Sequence, residues 1–407
     1  MNESMPFENK NANQEVFNRG KVRFLSGLSF FIGFLDAFLL YILSSYFVSL
    51  SGESLVGFFY FFVYLAVLVI LTYLQPILFR LGSVRLLLLL YIGLIACGFY
   101  LSLQGPTWTG AFVLLLFMIV SNTLGPVMDI LLEDFSADQV SGRIRGFFLT
   151  VLNAGLLMAP FVSTWTLSQY GYQGVFAVLT AGYALLLMMA TFGLRSHRSY
   201  SQERIAFLAT LRTVFRRKNL LYIYAVSWVL ELFYVVMIVY SPILLLAYGY
   251  SWTEIGIIFT VMLIPFVLIQ YPLGVLADKH WGEKELLIAA LIILSVTTAW
   301  VGIADQQSLV FWSLLLLATR VGAAGVEILR DSYFYKQITR VDTDIIAFFR
   351  TARPTANMVA AILGLLLLTV FPIQSLFFMV ALGAAGACGA ALLLKDSRER
   401  GVISAST

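Results

Sequence analysis

Charged side chains are scarce in this sequence, and their scarcity excludes an ordinary soluble domain. Of its 407 residues only 12% are charged, whereas 60% are hydrophobic and 15% are aromatic. A soluble globular domain usually has about 25% charged residues, because its surface needs polar groups that this chain does not have. The composition therefore predicts an integral membrane protein.

Cysteine and histidine are almost absent, with two residues of each. Cys97 and Cys388 lie in apolar segments, where a free cysteine acts as a small hydrophobic side chain, so we expect neither a disulfide nor a metal pair. The sequence contains no HExxH zinc motif and no GxxxxGK[ST] phosphate-binding loop. We therefore expect no metal, no cofactor, no ATP hydrolysis by this chain and no enzymatic activity.

Long apolar runs fill most of the chain instead. A helix needs about 20 mostly apolar residues to cross a membrane. Twelve runs of this kind can be distinguished, at 24–49, 54–79, 84–103, 109–133, 145–169, 172–194, 219–247, 252–276, 285–304, 308–335, 344–370 and 372–394. They predict an all-α membrane protein with twelve transmembrane helices.

Lysine and arginine are distributed unevenly between the connections. The connections after odd-numbered runs contain neither residue; they lie at 50–53, 104–108, 169–174, 247–252, 305–307 and 371–374. The even connections and both tails hold nearly all the basic residues. Basic loops stay on the cytoplasmic side, so we expect a cell (inner) membrane protein with both termini in the cytoplasm. Because the charges follow this alternation, the net charge of +4 does not indicate a nucleic-acid partner.

The chain also divides into two similar halves. DILLED at 129–134 ends the fourth run and EILRDS at 327–332 ends the tenth, while GFFLT at 146–150 and AFFRT at 347–351 open the fifth and eleventh. The same order at equivalent runs indicates a duplication, and six-helix repeats of this kind build transporters with a site between the repeats. We predict a cytoplasmic tail at 1–22, a six-helix bundle at 23–194, a basic cytoplasmic linker at 195–218, a second bundle at 219–394 and a tail at 395–407.

The turn after the eighth run carries a recognisable motif. In PLGVLADKHWGEKELL, residues 272–287, the residues that match G-x-L-A-D-R-x-G-R-K are Gly274, Leu276, Ala277, Asp278, Lys279, Gly282 and Lys284. The chain thereby resembles the major facilitator superfamily over its twelve-run region. The first-half turn, QPILFRLGSVR, keeps only Pro76, Gly82 and basic residues and lacks the aspartate. The resemblance implies two pseudo-symmetric six-helix bundles and secondary active transport by alternating access.

The resemblance further implies that this turn works as a gate. Asp278 would lie near the start of the fifth run, where a carboxylate meets the positive end of a helix dipole. Arg143 and Arg145 are its candidate partners, and Lys279 and Lys284 would hold the turn at the membrane face. The alternative is an ordinary solvated loop.

The fifth run resembles a motif of the superfamily's antiporters, G-x8-G-x3-G-P-x2-G-G. The residues at the matching positions are Gly146, Gly155, Ala159, Pro160, Ser163 and Thr164. The resemblance favours export by antiport. Close packing between helices explains small residues equally well.

Ionisable residues occur deep in several runs. Asp36, Glu231 and Arg320 lie about twelve residues from a membrane face, near the midplane of a core about 30 Å thick. Asn122 takes the place equivalent to Arg320 in the fourth run. Charged groups at this depth are costly and typical of functional sites. We predict that these residues line a central cavity and that Asp36 and Glu231 carry protons. The alternatives are neutral, hydrogen-bonded carboxyls and an Arg320 that only neutralises Glu231 or Asp36.

A second charged cluster lies nearer the basic ends of the helices. Its members are Asp129, Glu133, Asp134, Glu327, Arg330, Asp331, Arg350 and Arg353. Four of the carboxylates form two pairs spaced i,i+4, Asp129 with Glu133 and Glu327 with Asp331, so each pair shares one helix face and needs cations opposite it. Arg350 and Arg353 are candidates for the second pair, and Arg143 and Arg145 for the first. We interpret the cluster as a salt-bridged inner gate, with a substrate site or a solvated helix end as alternatives.

These patterns together predict a secondary active transporter. We expect proton-coupled export, by antiport, of a small apolar or cationic compound. Proton-coupled symport of a nutrient such as a sugar or organic anion is the alternative, and a non-transporting sensor, scaffold or channel is a third class. The expected partners are a small-molecule substrate, protons and the lipid bilayer, and we expect a monomer.

Overall fold

The computed structural model describes residues 19–135, 141–194, 214–277, 281–305, 308–338, 345, 348–349 and 351–395. Within these residues the chain is almost entirely helical and forms no strand. Ten of the helices described there are long and apolar enough to cross a membrane, and one shorter apolar helix accompanies them. Residues 1–18 and 396–407 of the predicted tails and residues 195–213 of the predicted linker lie outside the described residues.

The described part of the first half contains six α-helices, three of which differ from the predicted runs. They are α1 (Arg19–Leu40), α2 (Leu43–Ser51), α3 (Val56–Leu81), α4 (Ser83–Leu103), α5 (Trp108–Phe135) and α6 (Ser141–Gly193). Helices α1 and α2 together make up the first run. Helix α6 joins the fifth and sixth runs across Gly171, whose φ of 63° is accessible to glycine without the steric cost that a Cβ brings. The two arms of α6 therefore correspond to two predicted helices.

Seven α-helices are described in the second half. They are α7 (Lys218–Ala247), α8 (Trp252–Leu268), α9 (Gln270–Leu276), α10 (Glu283–Ile303), α11 (Leu309–Gln337), α12 (Ala352–Leu367) and α13 (Gln374–Leu392). A capping box begins α8: the Ser251 side chain accepts from the backbone N–H of Glu254, whose carboxylate accepts from the N–H of Ser251. Helices α8 and α9 form the eighth run, with a break at Ile269. The predicted all-α membrane class is confirmed, and the helices are consistent with twelve spans.

The helices pack as two bundles that meet along three contacts. In the first half α1 and α4 pack on α6; in the second, α11 packs on α8 and α10, and α13 packs on α7 and α10. Between the halves α3 packs on α12, α6 on α8, and α2 on α7. This two-bundle arrangement confirms the predicted architecture, while the domain boundaries stay a prediction.

The halves approach most closely near the connections that lack basic residues. A Cβ built on Gly57 in α3 would lie 2.3 Å from the carbonyl oxygen of Ala361 in α12. A Cβ built on Gly256 in α8 would lie 2.0 Å from Oγ1 of Thr164 in α6. Both distances are too short for any side chain, so only glycine lets the helices pack there. We call these two contacts the glycine seam.

A cavity of about 1910 Å³ separates the halves on the other side of the seam. Its wall includes Arg80, Phe215 and Tyr335, which are exposed and lie near the basic connections. At the opposite end its wall consists of buried side chains such as Tyr41 and Tyr60. The cavity therefore opens at the face with the basic connections and is closed by the seam at the other.

Large apolar side chains cover the outside of the helices. Phe192 is 86% exposed, and Leu103 and Phe112 are each 63% exposed. Apolar patches of this extent are rare on a soluble monomer, whereas lipid acyl chains provide a matching environment. The outer surface thus agrees with a chain embedded in a bilayer.

Candidate functional site

The four residues predicted near the midplane all contribute to the cavity wall. Asp36 comes from α1, Asn122 from α5, Glu231 from α7 and Arg320 from α11. Helices from both halves thus bring polar groups to one space. The Asn122 amide donates to the Met118 carbonyl oxygen of its own helix at 2.8 Å.

Asp36 is held by two neutral donors of its own half. The Ser121 hydroxyl donates to Asp36 Oδ1 at 3.3 Å, and the Tyr183 hydroxyl lies 3.5 Å from the same oxygen. The positive charge of Arg353 also acts on this carboxyl. In the described part of the chain Asp36 forms no ion pair.

Glu231 has a different environment, because a buried arginine binds it directly. Arg330 Nη1 lies 3.3 Å from Glu231 Oε1 and donates to the Ser227 hydroxyl at 2.9 Å. Its Nε donates to Asp331 Oδ1 at 2.9 Å. The Arg330 side chain is 8% exposed. Arg330, rather than Arg320, therefore neutralises Glu231, which excludes that alternative for Arg320 in this structure.

Glu327 connects three helices of the second half through neutral donors. Its Oε2 accepts from the Tyr234 hydroxyl of α7 at 3.2 Å and from Gln270 Nε2 of α9 at 2.9 Å. The carboxyl is half-buried and lines the cavity. Gln270 is the first residue after the break between α8 and α9, so the hydrogen bond ties the start of α9 to α11.

These contacts divide the predicted inner cluster. Asp331 pairs with Arg330, whereas Glu327 has hydroxyl and amide partners. Arg353 lines the cavity and is exposed. Arg350 lies outside the described residues, as do the side chains of Asp129 and Glu133. The salt-bridged gate remains a prediction for the parts that those residues would form.

Arg320 is a buried cation without an acceptor on two of its nitrogens. It is 1% exposed, and its Nε and Nη2 have no hydrogen-bond partner among the described residues. Its guanidinium lies over the rings of Phe233 and Tyr234, 5.1 and 5.7 Å from their centroids. Such stacking contributes about 2 kcal/mol when desolvated, whereas burying an ion costs several kcal/mol. The attraction to the two rings is therefore smaller than the free-energy cost of burying the Arg320 charge.

The motif turn after α9 is only partly described. Gly274 lies in α9, and Gly282, with φ of 78°, precedes α10, which contains a half-buried Lys284 in its first turn. Asp278 and Lys279 lie outside the described residues, as do the side chains of Arg143 and Arg145. The gate assigned to these residues stays a prediction.

Beside this turn lies an ion pair that the sequence analysis missed. Glu283 is fully buried at the start of α10 and accepts from Lys336 and from the Ser332 hydroxyl, the latter at 3.0 Å. The pair joins the first turn of α10 to the last part of α11. A carboxylate at a helix start and a lysine near a helix end were visible in the sequence, but nothing indicated that they meet.

The antiporter-like segment of α6 packs closely against two other helices. A Cβ on Gly155 would lie 2.1 Å from the Phe30 carbonyl oxygen of α1, and Thr164 contacts Gly256 in the seam. Ala159 is fully buried. These contacts agree with the packing explanation of the small residues, and antiport stays a prediction.

Comparison with known proteins identifies the family. The sequence profile of the Major Facilitator Superfamily matches residues 25–329 and 232–407. The chain belongs to this superfamily. Similar solved structures are the nucleoside transporter NupG (13% identity, TM-score 0.72, covering 92% of this chain and 98% of that one) and a D-xylose-proton symporter (14%, 0.70, 92% and 96%). No curated protein sequence matches the chain.

Membership in the Major Facilitator Superfamily makes the chain a secondary transporter of small molecules and an integral multi-pass membrane protein. At 13–14% identity the two structures support the fold alone. In a superfamily transporter, the space between the halves is where a substrate is expected. The cavity that contains Asp36, Glu231, Glu327 and Arg320 is therefore the candidate substrate site.

Proposed function

We propose that this transporter couples protons to the movement of a small organic compound by alternating access. The observation that carries the proposal is a carboxyl in each half, Asp36 and Glu327, that lines the cavity and has, among the described residues, only hydroxyl and amide donors. Burial favours the protonated form of such a group, and water entering the cavity favours the charged form. A carboxyl without a bound cation can therefore change its protonation state as access alternates.

This assignment changes one of the two proton carriers expected from the sequence. Glu231 is bound directly by Arg330, and separating an ion pair away from water leaves an uncompensated charge. Glu327 has no such partner within the described residues and contacts the cavity directly. We therefore assign proton transfer to Asp36 and Glu327. Glu231 instead belongs to the ion-pair network that Arg330 forms with Glu231 and Asp331.

The open face of the cavity supports an orientation. By the positive-inside rule the basic connections face the cytoplasm, so we propose that this is an inward-open state in the cell (inner) membrane with cytoplasmic termini. The wall is built by both halves of a single chain, which supports a transporter that works as a monomer. We propose no nucleic-acid partner.

Export by antiport is one form of this proposal. A small apolar or cationic compound would bind between apolar side chains such as Leu40 and Phe266. It would leave as protons enter on Asp36 and Glu327. The aromatic and aliphatic part of the wall supports this form, as does the resemblance of α6 to the antiporter motif.

Symport of a nutrient such as a sugar or organic anion is the second form, and Arg320 favours it. Among the described residues, the cavity wall contains four carboxylates and four guanidinium groups: Asp36, Glu231, Glu327, Asp331, Arg80, Arg320, Arg330 and Arg353. This balance gives a cation no advantage over an anion. A structure of similar fold is described as a D-xylose-proton symporter, which is compatible with coupling in this direction. We rank symport first.

Flux in sealed proteoliposomes tests both forms. The full-length protein would be reconstituted with an imposed pH gradient and offered matched sets of sugars, monocarboxylates and hydrophobic amines. Symport predicts accumulation on the side to which protons flow, and antiport predicts movement in the opposite direction. Equal flux with and without the gradient, for every compound that moves, would contradict proton coupling.

A further inference from the structure

We infer that Arg320 binds the carboxylate of the transported compound, so that the substrates are small organic acids. The inference rests on the proposed function, because it assumes that the compound occupies the same cavity. It goes beyond that function by naming the group that is recognised and the two nitrogens that recognise it.

First, no carboxylate among the described residues pairs with Arg320. An arginine side chain remains charged under all ordinary conditions. Four carboxyls line the cavity, and each is engaged elsewhere: Asp36 with Ser121 and Tyr183, Glu327 with Tyr234 and Gln270, and Glu231 and Asp331 with Arg330. Arg320 is thus the buried cation of this cavity that has no carboxylate of its own.

The second step is which nitrogens are free. Nε and Nη2 are adjacent on one edge of the guanidinium plane, and both lack an acceptor. Two parallel N–H groups on such an edge match the two oxygens of a carboxylate and form a bidentate pair. Two neighbouring hydroxyls of a sugar can also accept from both groups, but they carry no charge and form weaker hydrogen bonds, and a protonated amine has no acceptor for either. The free edge therefore favours a carboxylate over the other substrate classes.

The third step is how a carboxylate reaches this edge, since Arg320 is covered in this state. Phe233 is fully buried, whereas Tyr234 is half-buried and lines the cavity. Displacement of the Tyr234 ring is therefore the simpler route to the guanidinium. The Tyr234 hydroxyl donates to Glu327, so this movement would remove a hydrogen bond from the carboxyl to which we assign a proton. Substrate binding and proton binding are linked through one side chain.

Ligand-induced stabilisation of the purified full-length protein tests the inference. The probes are acetate, lactate and benzoate, each compared with its neutral amide. We expect the acids to raise the melting temperature through binding to the folded state, and the amides to have little effect. Arg320→Lys keeps the charge but loses the paired edge, so we expect affinity for the acids to fall about tenfold to a hundredfold. The matched control is Arg353→Lys, the same change at an exposed cavity residue, for which we expect a smaller loss.

A second variant separates recognition from a structural role. Arg320→Met removes a buried charge whose Nε and Nη2 have no acceptor among the described residues, so we expect the ligand-free melting temperature to stay the same or rise, while stabilisation by the acids disappears. If Arg320 only supports the fold, both variants will melt at lower temperature without any ligand, and the acids will not stabilise the unsubstituted protein.

Each outcome decides the inference. Failure of all three acids to stabilise the protein, or equal stabilisation by acids and amides, overturns it. If sugars or amines follow the pH gradient in proteoliposomes while the acids neither bind nor move, the inference fails and the proposed transport function stands. If the acids bind through Arg320 but no compound follows a proton gradient, proton coupling fails and the recognition site stands.

Discussion

The two halves hold their cavity carboxyls in a similar way but surround them differently. In the first half Asp36 has Ser121 and Tyr183 as partners; in the second, Glu327 has Tyr234 and Gln270. In the second half, two arginines on the same helix as Glu327, Arg320 and Arg330, also line the cavity. Each half thus has one cavity carboxyl with neutral donors, on α1 in the first half and on α11 in the second, and α11 adds two of the cavity's guanidinium groups.

The largest effect that tests this difference is expected at Arg330. Arg330→Met removes the partner of Glu231 and Asp331 and leaves a buried carboxylate unpaired, which costs about 3–5 kcal/mol. We expect poor expression and a much lower melting temperature of the purified protein. The control is Arg353→Met, which removes an exposed guanidinium from the same cavity. Equal melting temperatures for the two variants would show that the α11 network does not stabilise the second half.

The next largest effect concerns the two carboxyls themselves. With one proton moved per molecule, a gradient of one pH unit sustains about tenfold accumulation of a neutral compound. We expect Asp36→Asn and Glu327→Gln each to reduce this accumulation towards a ratio of one, because an amide carries no exchangeable charge. Exchange of labelled for unlabelled compound without a gradient is the control and should continue. Full accumulation by one variant would assign coupling to the other half alone.

The smallest effect compares the two tyrosines. Removing one hydrogen bond to a carboxyl changes free energy by about 1 kcal/mol, and the Tyr234 contact, at 3.2 Å, is shorter than the Tyr183 contact, at 3.5 Å. We therefore expect Tyr234→Phe to slow gradient-driven flux several-fold and Tyr183→Phe to slow it less. Initial rates at saturating compound would measure both. The reverse order would mean that the first half controls coupling more strongly than its geometry indicates.

Much of the fold could be predicted because lipid imposes simple rules on sequence. Apolar runs of sufficient length had to be helices, and the alternation of basic connections ordered them. The two arms of α6 were predicted as separate helices, and the non-helical backbone at Gly171 divides them. The break between α8 and α9 at Ile269 was not predicted, because the apolar run continues through it.

The position of charged residues within the apolar runs predicted which residues line the candidate site, but it did not predict which side chains they bind. Asp36 and Glu231 stand out because carboxylates are rare in apolar runs, and both line the cavity. Depth also suggested Arg320 as the cation near Glu231, yet Arg330 reaches it from about 15 Å further along α11. A long side chain and the packing of tilted helices decide such pairings, and neither can be read from spacing. Gln270 and Ser121 stand out in the sequence as polar residues in apolar runs. Tyr234 does not stand out, because it is one of 20 tyrosines in the sequence.

The glycine seam has a consequence for how quickly the closed face can part. At Gly57 one helix backbone lies against the backbone of its neighbour, and at Gly256 against the Thr164 side chain. At these two contacts no large side chain has to move before the helices slide past each other. The closed face also includes an aromatic pair between the halves, Tyr41 and Phe259, with ring centroids 4.7 Å apart, so opening this face requires those two rings to separate.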